Sequence, residues 1–472
     1  MIDLKTICEE KQSGLKSIKD SDIIKSLAKF EDTVNDAYRG RLFFELIQNA
    51  RDAAHKAGIN SKIIICIHGN TVYVGNTGAP FDEKGIIAMT RLGVSDKSDN
   101  KTIGHKGIGF KAIQEYSSIP KIITKFGSIA FDKTKLHEIL QKKFPGEFTT
   151  ESKVPLFYYP HYEDNCIEDI GIDTLKDCET VIMFDLNKGK TPAQLIDKFK
   201  EISNEELILL ENIESICFQS NVFNKTTRFS YKENEVTVNG NETFEIIRFP
   251  QPVLIPNDLY EKLSEKEKEL FESDREVDLK IVFRLDNELP VYEVDSELYL
   301  FYPLEMKSGF SYKIHSYFSC NPQRTSIIES PRNDFIFEKI VELQISHVFP
   351  YLKAKDKKKE LLQFAFFKEE NKKLSNLYNS YIAKLKSQKF IWIEHENDYY
   401  NPNEIMLCDN DAYIILKDHP VNNKKLLVVD DIIAKWLRDK FKVSELTELV
   451  LHAQIEAIAE TEKSKPSFFE KL

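Results

Sequence analysis

Three side chains in the run Phe44-Glu45-Leu46-Ile47-Gln48-Asn49-Ala50-Arg51-Asp52-Ala53-Ala54 are placed for chemistry: Glu45, Asn49 and Asp52, at i, i+4 and i+7. On an α-helix that spacing sets all three on one ridge. A carboxylate there can polarise a water, and an amide oxygen can coordinate Mg²⁺, which prefers oxygen ligands in near-octahedral geometry. Taken alone, the ridge is equally an ordinary solvent-exposed face, because it lies away from the apolar side of the helix. Two later segments bear on the choice. In Val72-Tyr73-Val74-Gly75-Asn76-Thr77-Gly78-Ala79-Pro80-Phe81, Gly78 would let backbone approach a flat ligand closely, although Asn, Gly and Pro also favour a plain turn at a strand end. In Thr102-Ile103-Gly104-His105-Lys106-Gly107-Ile108-Gly109-Phe110-Lys111, Gly104, Gly107 and Gly109 run into an expected helix start. Free N–H groups and the helix dipole favour phosphate at such a place, and Lys106 and Lys111 add positive charge. The run is neither a Gly-x4-Gly-Lys-Ser/Thr loop nor a Gly-x-Gly-x-x-Gly turn.

These segments need elements to hold them. Residues 1–57 read as helical, with Leu15, Ile18, Ile23, Ile24, Leu27 and Phe30 at roughly helical spacing. The ridge falls on a helix over Arg41–Lys56, whose Phe43, Leu46, Ile47, Ala50, Ala54 and Ala57 share a face, with Gly58 closing it. Lys62–Ile67 and Thr71–Gly75 read as a hairpin around His68-Gly69-Asn70. A short helix is expected near Glu83–Met89, a polar segment at Gly93–Thr102, a helix at Phe110–Tyr116, and strands at Lys121–Lys125 and Thr180–Leu186. Beyond Thr191 a helix at Pro192–Asn212 precedes strands at Ser215–Gln219, Thr227–Tyr231, Glu235–Asn239 and Val277–Phe283, with a charged helix or lid over Tyr260–Arg275. Strands at Leu298–Tyr302 and Lys313–Cys320 and a helix at Phe335–Val348 follow. The last part is mixed, with a strand pair Phe390–Ile393 and Ile405–Leu407, and its end at Ser467–Leu472 reads as the start of a helix, as if the native chain continued. The expected class is α+β, in three parts: 1–190, 191–350 and 351–472.

Composition bounds what such a chain does. At 472 residues and 42% hydrophobic content it can bury a large core. Its net charge of −11 lacks the basic surplus of a duplex-binding protein, so nucleic acid is a disfavoured partner. The charge run Lys353–Lys359, with Asp356 inside it and Glu360 after it, reads first as a solvated face. The seven cysteines stand singly, which favours buried reduced thiols over a disulfide framework or zinc ribbon. The first twenty residues lack the apolar core of a signal peptide, and apolar runs such as Ile63–Ile67 are too short for a bilayer, so a soluble, cytoplasmic protein is expected. No His-Glu-x-x-His pair, serine nucleophile elbow or kinase catalytic-loop string occurs.

In this order, the three glycine- and Asn-bearing segments resemble the N box, G1 box and G2 box of the GHKL superfamily, which includes gyrase, the ninety-kilodalton heat-shock chaperones, histidine kinases and MutL. The likeness is closest to chaperone-like and sacsin-like members. It implies a Bergerat-type α/β sandwich that binds ATP and Mg²⁺, followed by a transducer-like domain. It further implies Glu45 as the general base, Asn49 as the Mg²⁺ ligand, and Asp52 as a pocket residue near the nucleotide. Gly78 would shape the adenine pocket, and Gly104, Gly107 and Gly109 would cradle phosphates beside Lys106 and Phe110. Ser95 and Lys97, in the place of the family's ATP lid, would be phosphate contacts, and Thr180 would reach adenine through water. Most relatives carry Asp where this chain has Asn76; its amide oxygen can accept from the adenine amino group, as in sacsin-like members, but an amide can also donate. Phe301–Pro303 and Ser316–Thr325 are similar to the sacsin-like second domain, which implies that Arg324, or failing it Arg332, reaches the γ-phosphate. The function implied is a slow ATPase that drives conformational change, with a homodimer and a protein client as partners, in a defence or stress setting. The alternatives are a nucleotide-gated binding module with little turnover, a histidine kinase and a MutL-type DNA-linked ATPase.

Overall fold

The computed structural model describes residues 4–37, 39–90, 109–263, 275–294, 296–321, 324–419 and 421–461, and shows a mixed α+β protein. The described residues form two compact units. The first runs to Phe244 and takes in parts of Leu254–Glu276 and Asn321–Arg324; the second holds Glu245–Val253, most of Val277–Cys320 and the chain from Thr325.

The first unit opens with three helices, α1 (Leu4–Ser17), α2 (Ser21–Ala37) and α3 (Leu42–Ala57). Helix α3 ends as its sequence requires: Gly58 takes the left-handed conformation, φ 66°, and its N–H returns to the helix carbonyls. The hairpin follows as β1 (Ser61–His68) and β2 (Thr71–Asn76), paired antiparallel with Ile63 opposite Asn76. Residues 63–67 of β1 are all buried, as suits a strand with neighbours on both edges and cover on both faces.

Next come α4 (Glu83–Thr90), a 3₁₀ helix (Gly109–Glu115), β3 (Lys121–Thr124), β4 (Gly127–Ala130), α5 (Lys133–Lys143), β5 (His161–Glu163) and β6 (Thr180–Asp185). After α6 (Pro192–Glu201), the strands β7 (Ile213–Gln219), β8 (Asn224–Lys232) and β9 (Glu235–Val238) continue the same sheet. Its order is β9-β8-β7-β1-β2-β6-β3-β4-β5, antiparallel at the described registers except for the parallel pair β1–β7. Helix α3 lies against β1 and β2. Its apolar stripe is pinned by Phe43, whose ring meets Phe199 of α6 at 5.4 Å and Phe218 of β7 at 6.2 Å. On the sheet, Ile64 and Cys66 pack with Ile123, Leu175, Cys178 and Val181.

In the second unit the strand Leu279–Asp286 pairs antiparallel with Lys313–Ser316, which runs parallel to Glu297–Leu300; the last of these forms a hairpin with Tyr302–Lys307. The helix Pro331–Leu343 continues through a π-helical turn, Gln344–Val348, into Phe349–Ala354. Among the described residues no helix is long and apolar enough to cross a membrane, and no disulfide joins the cysteines.

Several expected elements came out differently. The helix at Phe110–Tyr116 is a 3₁₀ turn over Gly109–Glu115, and the Tyr116 N–H that follows it bonds back to Ile113 O at 2.8 Å, the tighter i to i+3 pattern. The helix over Pro192–Asn212 stops at Glu201, because the Ser203 hydroxyl and the Glu206 carboxylate cap each other's N–H groups and draw the chain into turns. Ile391–Ile393 pairs with Asp398–Tyr400 rather than with Ile405–Leu407, which instead lies parallel to Lys425–Leu427 and Ser444–Glu445. Helix α5 was not expected at all. The expected lid or helix at Tyr260–Arg275 falls mostly, and the terminal helix start at Ser467–Leu472 wholly, outside the described residues.

Gly75 sits in β2 one residue before Asn76, and a Cβ built on it would lie 2.6 Å from Cys178 Sγ and 2.9 Å from Leu175 Cδ2. Gly75→Ala is therefore expected to destabilise the protein by about 1–3 kcal/mol through overpacking, measured by denaturant unfolding; an unchanged midpoint contradicts this packing.

Candidate functional site

The polar ridge of α3 is not a solvent-exposed face. Glu45 is 3% exposed, Asp52 is 4% exposed, and Asn49 is half-buried. Gln48 and Arg51, between them in sequence, are buried as well. Charged side chains are seldom buried to this degree without partners or a task. Arg51 has partners: its Nε donates to Leu210 O at 2.6 Å and its guanidinium lies 3.9 Å from Glu211, which ties α3 to the turn before β7. Nη1 of the same guanidinium is 3.5 Å from Asp52 Oδ1. Glu45 differs, for its Oε1 is buried and has no hydrogen-bond partner among the described residues; neither has Gln48 Nε2.

The end of β2 is brought onto this helix by one close approach. Ala79 N–H donates to Ala53 O at 2.8 Å, and a Cβ on Gly78 would stand 2.6 Å from both the Ala53 carbonyl carbon and Ala54 N. Gly78 is thus required by the backbone of α3. Asn76 Oδ1 accepts from the Gly78 N–H at 3.1 Å, which holds the loop in a tight turn. A carbonyl oxygen has two lone pairs, so that bond leaves the Asn76 amide with further acceptor and donor capacity. Thr180, paired with Asn76 across β2 and β6, accepts from Phe81 N–H at 2.9 Å, and its own O–H remains a donor. Arg324, in the short stretch that groups with the first unit, donates from Nη1 to Gln48 Oε1 at 3.3 Å. The structure so gathers Glu45, Asn49, Asp52, Asn76, Gly78, Thr180 and Arg324 around α3 and the loop that rests on it.

Other expected residues stand elsewhere. Ser95, Lys97, Gly104, Lys106 and Gly107 lie outside the described residues. Gly109 opens the 3₁₀ helix. Phe110 is buried, with its ring edge-on to Phe157 at 5.3 Å, so it serves the core. Arg332 is buried in the helix Pro331–Leu343 of the second unit. Lys111, expected to add positive charge beside the glycine run, is 1% exposed and electrostatically coupled to Glu31 of α2, which is also 1% exposed. Burial pushes the Glu31 carboxyl up to about 7, against the opposing pull of Lys111 and of hydrogen bonds from Gln114 and Phe157. Burial likewise draws the Lys111 amine down, with Glu31 opposing. Sequence reasoning did not single out Glu31 or Gln48; in one dimension each is one more polar residue on an amphipathic helix.

Among the described residues no group of three or more His, Cys, Asp and Glu side chains is placed to hold a metal ion. The donor chemistry nevertheless fits Mg²⁺, which keeps waters and phosphate oxygens as most of its ligands and needs few from the protein. Asn49 and Glu45, one turn apart on the same face of α3, offer an amide oxygen and a carboxylate of that kind. Comparisons with models of known protein families and with curated proteins find no match to this chain.

An unsatisfied buried carboxylate oxygen carries a desolvation penalty in the ligand-free protein. Glu45→Leu, which removes the buried carboxylate oxygens and keeps a side chain of similar size, is expected to stabilise that form by about 1 kcal/mol. A chemical-denaturation midpoint lower than that of the wild type would show that Glu45 is satisfied after all.

Proposed function

We propose that the first unit binds ATP with Mg²⁺ against the polar ridge of α3 and hydrolyses it slowly. The observation that carries this is the Glu45 carboxylate: buried, with one oxygen unpartnered among the described residues, on the helix face that also holds Asn49 and Asp52. Buried polar atoms without partners are uncommon in folded proteins and are kept where a ligand, a water or a reaction uses them. The order of the sequence motifs, with their resemblance to GHKL proteins, supplies ATP as the ligand and a Bergerat-type fold as the frame.

In this proposal Glu45 orients the attacking water and takes its proton as the water oxygen bonds to the γ-phosphorus and the bond to the ADP oxygen breaks. Asn49 holds the metal through its amide oxygen; Mg²⁺, when bound, supplies charge neutralisation at the phosphates. Asn76 and Thr180 face the base, with Asn76 accepting from the adenine amino group through its second lone pair. Arg324 leaves Gln48 for the γ-phosphate, where a fixed cation stabilises the charge that develops in transfer. Asn321–Arg324 belongs to the first unit while Cys320 and Thr325 belong to the second. A movement of Arg324 is therefore passed along the chain in both directions, which converts nucleotide state into conformational change. A homodimer and a protein client are part of the same proposal.

The test is ATP binding and steady-state phosphate release by the wild type, Glu45→Ala and Arg324→Ala. Glu45→Ala is expected to lower release about 100-fold or more with ATP still bound, as for loss of a general base. Arg324→Ala is expected to lower it by roughly 100-fold, as for loss of one transition-state donor. ATP binding with equal background release in all three proteins points instead to a nucleotide-gated binding module. No ATP binding overturns the proposal.

A further inference from the structure

Glu31 is the one acidic side chain of α2 buried to 1% exposure, and the site described above does not use it. Its Oε1 accepts from Gln114 Nε2 and, at 3.4 Å, from the Phe157 N–H. Its Oε2 is buried and has no hydrogen-bond partner among the described residues. The buried Lys111, on the 3₁₀ helix that packs against α2, is electrostatically coupled to it, and is the one cation so coupled among the described residues. The other nearby charges look outward or elsewhere: Asp32 of α2 pairs with Lys153, and Glu115 accepts from the Gly40 N–H at 3.0 Å and from Lys190 at 3.0 Å. Backbone N–H groups of Leu156 and Phe157 complete the surroundings.

The 3₁₀ helix that carries Lys111 packs against both α2 and α3, and the Gly40–Glu115 bond ties it to the chain just before α3. A change in charge at Glu31 thus acts on an element that touches the ridge helix. We propose that Glu31 is a positioning residue for Lys111: its negative charge commits the Lys111 ammonium to the interior, and its protonation releases that cation's field to the nucleotide. This rests on the ATP proposal above. Linkage fixes the direction, because a bound polyanion that gains from the Lys111 cation favours the protonated form of Glu31 and protonation of Glu31 favours the polyanion by the same factor.

Burial holds the carboxyl at about 7 against an ordinary value of 4.5, so the switch falls near neutral pH. The folded state disfavours the ionised acid, so the wild type loses stability relative to a neutral variant as pH rises from about 4.5 to about 7.

The experiment compares the full-length wild type with Glu31→Gln and Lys111→Met, and adds the Glu31→Gln/Lys111→Met double variant. ATP affinity by calorimetry and the unfolding midpoint without nucleotide are both followed from pH 5.5 to 8.5. Glu31→Gln mimics the protonated acid, and the ratio to wild type cancels the titration of ATP itself. Expected are equal affinities at the acid end, binding by Glu31→Gln about fivefold tighter or more at pH 8.5, and loss of that difference when Lys111 is Met. The unfolding midpoints should draw together toward pH 5.5, part as pH rises to about 7 and keep a constant separation above it. Midpoints that part while the affinity ratio stays at one overturn the inference and make Glu31 a structural acid only. A fivefold difference that survives in the Lys111→Met background also overturns it, because the effect then does not pass through Lys111. Absence of ATP binding at every pH, with the midpoints still parting, overturns the ATP proposal and this inference with it.

Discussion

The loop after β2 rests directly on the backbone of α3, with no side chain between them at Gly78. That contact is the constraint from which the rest of the site follows. Any other residue at Gly78 would put a Cβ 2.6 Å from the Ala53 and Ala54 backbone atoms, which cannot yield as a side-chain end could. The bond from Ala79 N–H to Ala53 O fixes the register of loop against helix. Asn76 then sits beside the carboxyl-terminal half of the polar ridge, and Thr180 is carried with it because β6 pairs with β2 residue by residue. One close approach of two backbones thus sets three segments of sequence in fixed relation.

The helix side of this arrangement is built with two kinds of buried charge. Arg51 is tied down by Leu210 O and Glu211 and holds α3 to the sheet. Glu45 keeps an oxygen without a partner among the described residues, at a cost in stability, and Gln48 offers Arg324 a neutral acceptor. Structural charges are normally paired, and unpaired ones concentrate where chemistry or a ligand uses them. The same contrast separates Glu31 from the exposed ion pairs on α2, such as Lys25–Asp22, which are screened and contribute little.

Much of the first unit was legible in its residues because the signals there are local. Gly58 closes α3, the two-residue Gly69-Asn70 turn joins β1 to β2, and the spacing of Phe43, Leu46, Ile47, Ala50 and Ala54 marks the buried stripe. Helix α5 had a legible start in Asp132, whose side chain caps Thr134 and Lys135 N–H groups. Its short apolar stripe, Leu136 and Leu140, is diluted by lysines and gives only a weak helical signal. Ile391–Ile393 forms a local hairpin with Asp398–Tyr400, turned at the left-handed Asn397; that partner is hard to read because Asp398-Tyr399-Tyr400 gives little apolar signal, whereas the apolar run Ile405–Leu407 reads as a strand.

The sequence by itself determined the positions of the helices and strands that carry the ridge, the Asn76–Gly78 turn and the special backbone at Gly58, because caps, periodicity and glycine act over a few residues. Only the tertiary structure decided that the ridge is buried, that Phe110 belongs to the core, that Lys111 is buried and coupled to Glu31, and that Arg324 meets Gln48. Those outcomes depend on residues 47 to 276 positions apart along the chain. Burial and pairing at that range are settled by how whole elements pack, and the spacing of residues on any one element does not contain it.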